Sequence, residues 1–298
     1  MSRPATTVPL DAPGLAVATL CCALWGGNGV AVKYAVGGGH LPPLGSAGLR
    51  FLIALPVIAM ACGKMGATLR VDRRLWWLVI LHGVLAALQI GAFNWGTSLS
   101  EAGRSAVFVN VHPFLVAPMA WILLGESLGP RRIAGLIAAA AGVAVLLAKP
   151  LMLGGGGLVG DLVVLASGVI FAFQTIAQKK TFPLIPPTTL LLLQTAIAGP
   201  LTLGLSLAIE GPARFHLTWE AMGGLAYQGL GVSGVCFTLW MILLRRYPAV
   251  QLSAITFMVP AFGILIANLT LGEPFTWPLA IGGSLVALGI YLVSSDDE

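Results

Sequence analysis

The sequence predicts an all-α polytopic membrane protein, in which ten transmembrane helices form two inverted five-helix repeats. Only 9% of the 298 residues are charged and 57% are hydrophobic, whereas a typical soluble domain is about 25% charged. The apolar residues fall into ten stretches, separated by short segments rich in polar residues, glycine or proline. Residues of the first half recur in the second half at a nearly constant spacing. These observations exclude a water-soluble globule.

Each apolar stretch comes close to the length of about 20 residues that a helix needs to cross a bilayer. Pro, Gly or charged residues bound the stretches, as at Gly129-Pro130-Arg131-Arg132. No small-residue cleavage site follows the first stretch, so we expect a retained helix and not a signal peptide. The stretches cover residues 15–36, 44–62, 75–97, 104–124, 132–148, 158–178, 188–209, 219–243, 250–271 and 277–293.

Basic residues are distributed unevenly between the two sides of the predicted membrane. One set of alternate loops and tails carries only Arg104, Lys149 and Arg214. The other set carries Arg3, Lys64, Arg70, Arg73, Arg74, Arg131, Arg132, Lys179, Lys180, Arg245 and Arg246. Because loops rich in Lys and Arg remain in the cytoplasm, we expect an inner-membrane protein with both termini cytoplasmic. The net charge of +5 then reflects membrane orientation, and no nucleic acid is expected as a partner.

An internal repeat divides the chain into residues 1–150 and residues 151–298. Five helices in each half put the second half into the membrane from the opposite side, which is the inverted architecture of secondary transporters. The substrate site of such transporters lies at the interface between the repeats. At a spacing of 146 or 147 the matches are Gly14 with Gly160, Trp25 with Phe171, Asn28 with Gln174, Lys33 with Lys179, Pro113 with Pro260, and Leu124-Gly125-Glu126 with Leu271-Gly272-Glu273.

Three motifs carry a resemblance to a known family. They are Trp25-Gly26-x-Asn28, the pair Arg50-Phe51, and Pro-x11-Gly-Glu, which occurs once in each half. Together they resemble the ten-helix proteins of the drug/metabolite transporter superfamily, in its EamA-type branch. The resemblance covers essentially the whole chain, and it implies export of amino acids or other metabolites. Within the branch, the sequence most resembles the aromatic amino-acid exporters. The second half departs from the motifs, since Ala172 stands at the position of Gly26 and no arginine near Gln194 matches Arg50.

Polar residues on the third and eighth helices are candidate substrate ligands. An unpaired charge costs about 2.5 to 3.5 kcal/mol in hydrocarbon, so intramembrane polar side chains usually face the bundle interior or a wet cavity. His82 and Gln89 share one helical stripe, while Gln228, beside Tyr227, matches His82 in the repeat. We expect His82 and Gln228 to line opposite ends of one central cavity. The alternative is that each only hydrogen-bonds a neighbouring helix.

Further candidates lie near the midplane on the first, fourth, sixth and ninth helices. Trp25 and Asn28, with Phe171 and Gln174 opposite them, are expected to contact substrate, and plain core packing is the alternative. Asn110 and His112 precede Pro113, which frees the carbonyl of Val109 for Asn110 or a water to satisfy. Pro113 and Pro260 predict kinks at matched depths in the two halves, suited to gating, although they can equally be packing kinks.

The remaining charged and aromatic residues are expected to act at helix ends. Snorkelling to the membrane surface is the favoured explanation for Arg50, and capture of a substrate carboxylate is the alternative. Glu126 and Glu273 are expected to brace the N-terminus of the next helix. Four tryptophans read as residues of the aromatic belt at the interface: Trp76, Trp77, Trp219 and Trp277.

The function that these features predict is secondary transport by alternating access, exporting apolar or aromatic amino acids or similar small amphipathic metabolites. A carrier of phosphorylated metabolites or nucleotide-sugars is the alternative, although it calls for two or more central Lys or Arg residues. Gly231-Val232-Ser233-Gly234 resembles the nucleophile motif of intramembrane proteases, but no histidine follows it. A membrane scaffold is a further alternative.

The sequence predicts no enzyme activity, cofactor or metal ion. All eleven acidic residues lie in loops, tails or helix ends, so no mid-membrane carboxylate is present to couple transport to an ion. We therefore expect passive transport down the substrate gradient. Proton exchange through His82 or His112 is the rival. The expected partners are a small-molecule substrate and the lipid bilayer.

Overall fold

A computed structural model describes residues 9–152, 157–211 and 215–271, together with isolated positions between 281 and 292. These residues form helices and connecting turns, with no β-strand among them. The α-helices are α1 (Ala12–Gly26), α2 (Asn28–Val36), α3 (Pro43–Lys64), α4 (Trp76–Leu99), α5 (Ala102–Phe108), α6 (His112–Leu124), α7 (Pro130–Met152), α8 (Leu158–Thr181), α9 (Pro187–Ile209), α10 (Trp219–Ala226), α11 (Phe237–Arg246), α12 (Ala249–Ile255) and α13 (Met258–Leu271).

Eight segments of the described chain are long and apolar enough to cross a membrane, so the protein is a multi-pass membrane protein. They correspond to the first four and the sixth to ninth predicted stretches. The fifth stretch forms α7, which is not among these eight, and the tenth lies largely outside the described residues. The eight segments are Ala12–Gly39, Pro43–Lys64, Arg73–Leu99, Ala102–Leu124, Leu158–Thr181, Pro187–Ile209, Trp219–Arg246 and Ala249–Thr270.

Side chains next to the helix ends explain where several helices begin and stop. Asp11 caps α1, because its carboxylate accepts a hydrogen bond from the backbone amide of Gly14 at 2.8 Å. Thr218 caps α10 in the same way, accepting from the amide of Ala221 at 3.2 Å. Gly125 ends α6 in the left-handed conformation, with a φ of 69°, which residues other than glycine rarely adopt.

The fourth and ninth membrane segments are both interrupted just before a proline. A 3-10 turn, Val109–Val111, separates α5 from α6, and the carbonyl of Val109 accepts its hydrogen bond from the backbone amide of His112. Asn110 therefore does not satisfy that carbonyl, contrary to the sequence-based expectation. Its side-chain amide instead donates to the carbonyl of Ala106 at 2.5 Å. In the second half, α12 ends at Ile255 and α13 begins at Met258, two residues before Pro260.

Helix packing follows the repeat. Helix α4 of the first half packs against α8 of the second half, and the equivalent α10 of the second half packs against α2 of the first. Likewise α6 packs against α8 and α13 packs against α1, while α3 and α9, the equivalent second helices of the two halves, pack against each other. Exchanging the two halves therefore exchanges these contacts, as expected of a duplicated unit whose halves are related by a pseudo-two-fold axis.

One hydrogen-bonded network shows that the equivalent helices run in opposite directions. The hydroxyl of Tyr247 donates to Asp11 at 2.6 Å, at the beginning of α1. Lys179, near the end of α8, donates to the carbonyl of Tyr247 at 2.6 Å and pairs with Glu126 at 2.7 Å. The beginning of α1 and the end of its repeat partner α8 thus meet at the same end of the bundle. We call this the basic end, since Lys179, Lys180, Arg245 and Arg246 lie there.

Close contacts between small residues bring the central helices together. A Cβ atom added to Gly26 would lie 2.6 Å from the Cβ of Phe262 and 2.7 Å from the backbone nitrogen of Gly263. Glycine is therefore required where α1 crosses α13, as at many helix contacts in membranes. The four cysteines of the chain are also buried between helices, in keeping with a packing role.

Candidate functional site

A cavity of about 50 Å³ lies near the middle of the bundle, between helices of both halves. Five of the nine substrate ligands predicted from the sequence line it. The volume suffices for a few water molecules, so a substrate of amino-acid size requires the walls to separate. The lining residues are Trp25, Asn28, Arg50, Gln89, Ile90, Phe93, Ala106, Val109, Asn110, His112, Phe171, Val232, Phe237 and Val259.

Irregular helix segments supply several polar groups of this central cavity. Trp25 lies at the end of α1 and Asn28 at the beginning of α2, on either side of the junction at Gly27. Asn110 lies in the 3-10 turn before Pro113, and His112 begins α6. The backbone stays in the right-handed helical region at Gly27 and at Val111, so each segment is irregular without being broken. Irregular helices near the membrane centre line the substrate sites of many secondary transporters.

Aromatic side chains form the wall of the cavity on the side of the second half. The ring of Trp25 contacts Phe171 edge-on, with the centroids 5.9 Å apart, and lies 4.7 Å from the ring of Trp240. Phe237 is 6.1 Å from Trp25, and His112 lies 4.5 Å from Phe171. Such a cluster can pack against an apolar or aromatic group.

Arg50 is completely buried, with 0% of its surface exposed. The guanidinium group donates from Nε to the hydroxyl of Ser233 at 2.8 Å, while Nη1 and Nη2 have no hydrogen-bond partner in the described part of the chain. The prediction that Arg50 snorkels to the surface is therefore wrong. Since a buried charge without a partner is costly, the two free nitrogens mark the place where an anionic group would be stabilised.

Two acceptors in the same cavity are also without partners. The Oδ1 atoms of Asn28 and Asn110 are buried and accept no hydrogen bond from the described residues. Gln89 and His112 are better satisfied, because Gln89 donates to Ser167 at 3.0 Å and the Nε2 atom of His112 lies 3.4 Å from the hydroxyl of Thr256. The central cavity thus combines free donors, free acceptors and an aromatic wall.

A second cavity, of about 20 Å³, continues from the first toward the basic end. Gln89, Ile90, Phe171 and Phe237 line both cavities. The remaining walls of the second cavity carry Gln174, Gln178 and Gln194 together with Phe51, Ala86, Leu191, Trp240 and Met241. Gln174, a predicted ligand, therefore lies along a path from the central cavity to the basic end and not in the central cavity itself.

His82, Tyr227 and Gln228 line neither of these two cavities. Each forms a hydrogen bond with another helix instead. For His82 and Gln228 this was the alternative expected from the sequence. His82 lies 3.1 Å from the hydroxyl of Thr181, and Tyr227 donates to the carbonyl of Leu24 at 2.9 Å. The side-chain oxygen of Gln228 accepts from Asn94 at 3.2 Å. Their contact with substrate stays a prediction, and in this conformation they join helices.

Sequence reasoning missed three residues around these cavities. Ser233 lies in a π-helix, Tyr227–Cys236, between α10 and α11, and π-helical segments are frequent at functional sites. Its glycine-flanked motif was visible in the sequence, but its neighbour is Arg50 and not a histidine base. Gln178 could have been found from its spacing of one helical turn after Gln174. No sequence signal pointed to Gln194.

Ionic groups make contacts toward both ends of the bundle, on either side of the central cavity. At the basic end, the carboxylate of Glu126 accepts hydrogen bonds from the backbone amides of Ala249 and Val250 at 2.9 and 3.0 Å. Glu126 therefore caps α12, whereas the sequence suggested the next helix in the chain; Glu273 lies outside the described residues. At the opposite end, Arg104 pairs with Asp161.

The tryptophans assigned to the aromatic belt lie at the ends of membrane segments and are exposed on the bundle surface. Trp76 and Trp77 are 41% and 61% exposed, and Trp219 is 87% exposed. Exposed tryptophans at helix ends suit the membrane interface. Trp277 lies outside the described residues.

Comparison with known proteins gives consistent matches over nearly the whole chain. A family model described as the EamA-like transporter family matches residues 12–148 and again residues 158–295. A probable amino-acid metabolite efflux pump of Salmonella typhimurium is 29% identical, covering 93% of this chain and 93% of its own. A probable terminal-alkyne amino-acid exporter of Streptantibioticus cattleyicolor is 28% identical over 84% of each chain. One solved crystal structure shares the fold, with a TM-score of 0.78, 20% identity and coverage of 95% and 96%.

Proposed function

Because the chain belongs to the EamA-like transporter family, we propose that it exports amino acids with apolar or aromatic side chains, or closely similar metabolites. Transport is secondary and proceeds by alternating access. The substrate binds in the central cavity, and the membrane is the inner membrane with both termini of the protein in the cytoplasm. Two relatives whose names specify amino-acid efflux or export support this substrate class.

The observation that carries the proposal is the buried guanidinium group of Arg50. Its two free nitrogens can donate two parallel hydrogen bonds to a carboxylate. Such paired, charge-assisted hydrogen bonds are among the strongest that a protein forms. The rest of the cavity offers apolar and aromatic surface, through Trp25, Phe93, Phe171 and Phe237. One cation beside an aromatic wall fits an amino acid with an apolar side chain.

A carrier of phosphorylated metabolites is less well supported. A phosphate group carries up to two negative charges and is usually bound by two or more Lys or Arg residues. Where the structure describes the chain, Arg50 is the one Lys or Arg that lines the two central cavities. The nearby amides of Gln89 and Gln174 carry no charge.

The irregular helices supply a means of alternating access. In both halves the helix is irregular shortly before a proline, at Val109–Val111 before Pro113 and at Thr256-Phe257 before Pro260. Bending at these two points changes the position of Asn110 and His112 relative to the aromatic wall. Pro113 and Pro260 then act as gating kinks, one in each half, and the opposite directions of the two halves make them work on opposite sides of the membrane.

The experiment that tests this proposal is counterflow into liposomes that contain the purified protein. Liposomes loaded with unlabelled amino acid should accumulate labelled phenylalanine, leucine or tryptophan from outside. Accumulation should continue when an ionophore collapses the proton gradient, because we propose passive transport. If no member of a panel of amino acids shows counterflow, the proposal is wrong. If amino acids move only with a proton gradient, passive transport is wrong.

A further inference from the structure

The unpartnered oxygens of Asn28 and Asn110 call for a hydrogen-bond donor that the described part of the chain does not provide. Asn28 is 5% exposed and Asn110 is 2% exposed, and both line the central cavity. A buried acceptor without a donor costs about 1 to 3 kcal/mol, and native proteins rarely leave one without a partner or a functional reason. Two such oxygens in one small cavity are therefore notable.

The hydrogen bonding of Asn110 fixes which end of its amide points away from its own helix. Its NH2 group donates to the carbonyl of Ala106 at 2.5 Å. A carbonyl accepts but does not donate, so the amide cannot be turned around without losing this bond. The Oδ1 atom is consequently the end left without a partner, and the role of Asn110 in the cavity is that of an acceptor.

Charge decides what kind of donor the cavity can accept. None of the described residues that line the central cavity is an aspartate or a glutamate. A cation bound there has two neutral acceptors and the faces of Trp25 and Phe171, which attract cations. It also meets the positive charge of Arg50. A cation is stable beside Arg50 only if it brings its own negative charge, as a zwitterion does.

We propose that Asn28 and Asn110 form an amino-group subsite, so that the central cavity recognises the α-ammonium and the α-carboxylate of one zwitterionic substrate. This inference rests on the proposed function and adds the residues that distinguish an α-amino acid from a simple carboxylic acid or a simple amine. Arg50 binds the carboxylate, the two amide oxygens accept from the ammonium group, and the aromatic wall holds the side chain.

A set of three related ligands tests the subsite. L-phenylalanine has both charged groups, 3-phenylpropionate lacks the ammonium group, and 2-phenylethylamine lacks the carboxylate. Each competes with labelled phenylalanine in counterflow. We expect 3-phenylpropionate and 2-phenylethylamine to compete at least tenfold more weakly than unlabelled phenylalanine in the wild type. A site built to bind an amino group rejects the analogue that lacks it, because its acceptors are then left unpaired.

Substituting the two asparagines tests whether they distinguish phenylalanine from 3-phenylpropionate. In Asn28→Leu and Asn110→Leu, phenylalanine should lose at least tenfold in apparent affinity, while 3-phenylpropionate should keep its affinity, so their ratio should collapse. Gln89→Leu is the matched control, because the Gln89 amide already donates to Ser167; this change should affect both ligands in the same proportion. Asn28→Asp should strengthen competition by 2-phenylethylamine, a gain that misfolding cannot produce.

The alternative is that water molecules satisfy both oxygens permanently. In that case the asparagine variants would leave the ratio of phenylalanine to 3-phenylpropionate unchanged, and the inference would be overturned while amino-acid transport stood. Equal competition by 3-phenylpropionate and phenylalanine in the wild type would overturn it without any variant. Absence of counterflow with every amino acid would instead overturn the proposed function, and this inference with it.

Discussion

The two halves of the bundle share one fold but make different contributions to the central cavity. The first half supplies the polar groups, Arg50, Asn28, Gln89, Asn110 and His112. From the described part of the second half come only apolar and aromatic side chains, namely Phe171, Val232, Phe237 and Val259. In the neighbouring cavity toward the basic end the second half supplies most of the polar side chains, namely Gln174, Gln178 and Gln194.

This difference indicates that symmetry and recognition depend on different residues. The positions that repeat, such as Pro113 in α6 and Pro260 in α13, determine how the helices bend and pack. Positions that depart from the repeat determine the chemistry of the cavity. Arg50 is the sharpest departure, because the second half has no arginine near Gln194. Substitutions at positions where the halves differ, and at one ion pair that joins them, test this distinction.

The largest effect is expected from Arg50→Gln, which removes the charge that the second half lacks. Hydrogen bonds to charged groups are worth about 1.5 to 3 kcal/mol, so the apparent affinity for phenylalanine should fall by about 10- to 100-fold. Arg50→Lys should restore only part of it, because one ammonium group cannot form the two parallel bonds of a guanidinium group. The measurement is concentration-dependent counterflow. Arg70→Gln, at an exposed loop position, is the control, and equal transport by both variants would contradict the role of Arg50.

A smaller effect is expected from the network at the basic end. Lys179→Met removes the ion pair with Glu126, whereas Lys180→Met, at the neighbouring exposed position, leaves it intact. Lys179→Met should lower the melting temperature. It should also increase the rate at which a water-soluble reagent modifies a Gln178→Cys thiol by about tenfold, if the ion pair stabilises the closed basic end by about 1.4 kcal/mol. Similar labelling in the two variants would show that the ion pair does not keep the basic end closed.

A modest effect is expected from Trp25→Phe, which makes the two halves alike at this position. A phenylalanine keeps part of the contact with Phe171 but loses area against Trp240. Aromatic pairs contribute about 0.5 to 1.5 kcal/mol beyond burial, so the affinity for phenylalanine should fall by about two- to tenfold. Trp25→Ala should cost more. Titration of substrate in counterflow measures both, and an unchanged affinity in Trp25→Ala would remove Trp25 from the site.

The smallest effect concerns Asp11, whose counterpart in the repeat is Gly157. The hydroxyl of Tyr247, followed by the amide of Gly14, lowers the pKa of the Asp11 carboxyl below its usual range. A lowered pKa stabilises the folded protein at higher pH, and this contribution is lost as the pH falls below about 4. The melting temperature of the wild type should therefore fall slightly more steeply below pH 4 than that of Asp11→Asn. Parallel curves would exclude this contribution.

The fold was more accessible to sequence reasoning than the site. Long apolar stretches, the distribution of Lys and Arg, and matched positions such as Pro113 and Pro260 depend on composition and spacing, which the sequence displays directly. Eight of the ten predicted crossings occur in the described chain, and the repeat appears in the helix packing.

The site was harder because it depends on which face of a helix points inward. His82 and Gln89 share one stripe, yet only Gln89 reaches a cavity, since His82 meets Thr181 of α8 first. The sequence predicted snorkelling for Arg50, because its position along the second apolar stretch allows the side chain to reach the membrane surface. Its burial results from the close packing of α3 against the π-helix that carries Ser233, and the sequence alone does not display that contact.

The buried charge of Arg50 also has a consequence for the response to voltage. A full elementary charge that crosses the membrane field gains or loses about 2.3 kcal/mol per 100 mV, and a fixed charge inside the bundle experiences a fraction of that when access changes sides. A zwitterion adds no net charge, so the empty and the loaded carrier respond equally. The membrane potential then shifts the balance between the two orientations, but a complete cycle moves no net charge. For such a substrate, passive transport therefore stops at equal concentrations on the two sides, whatever the voltage.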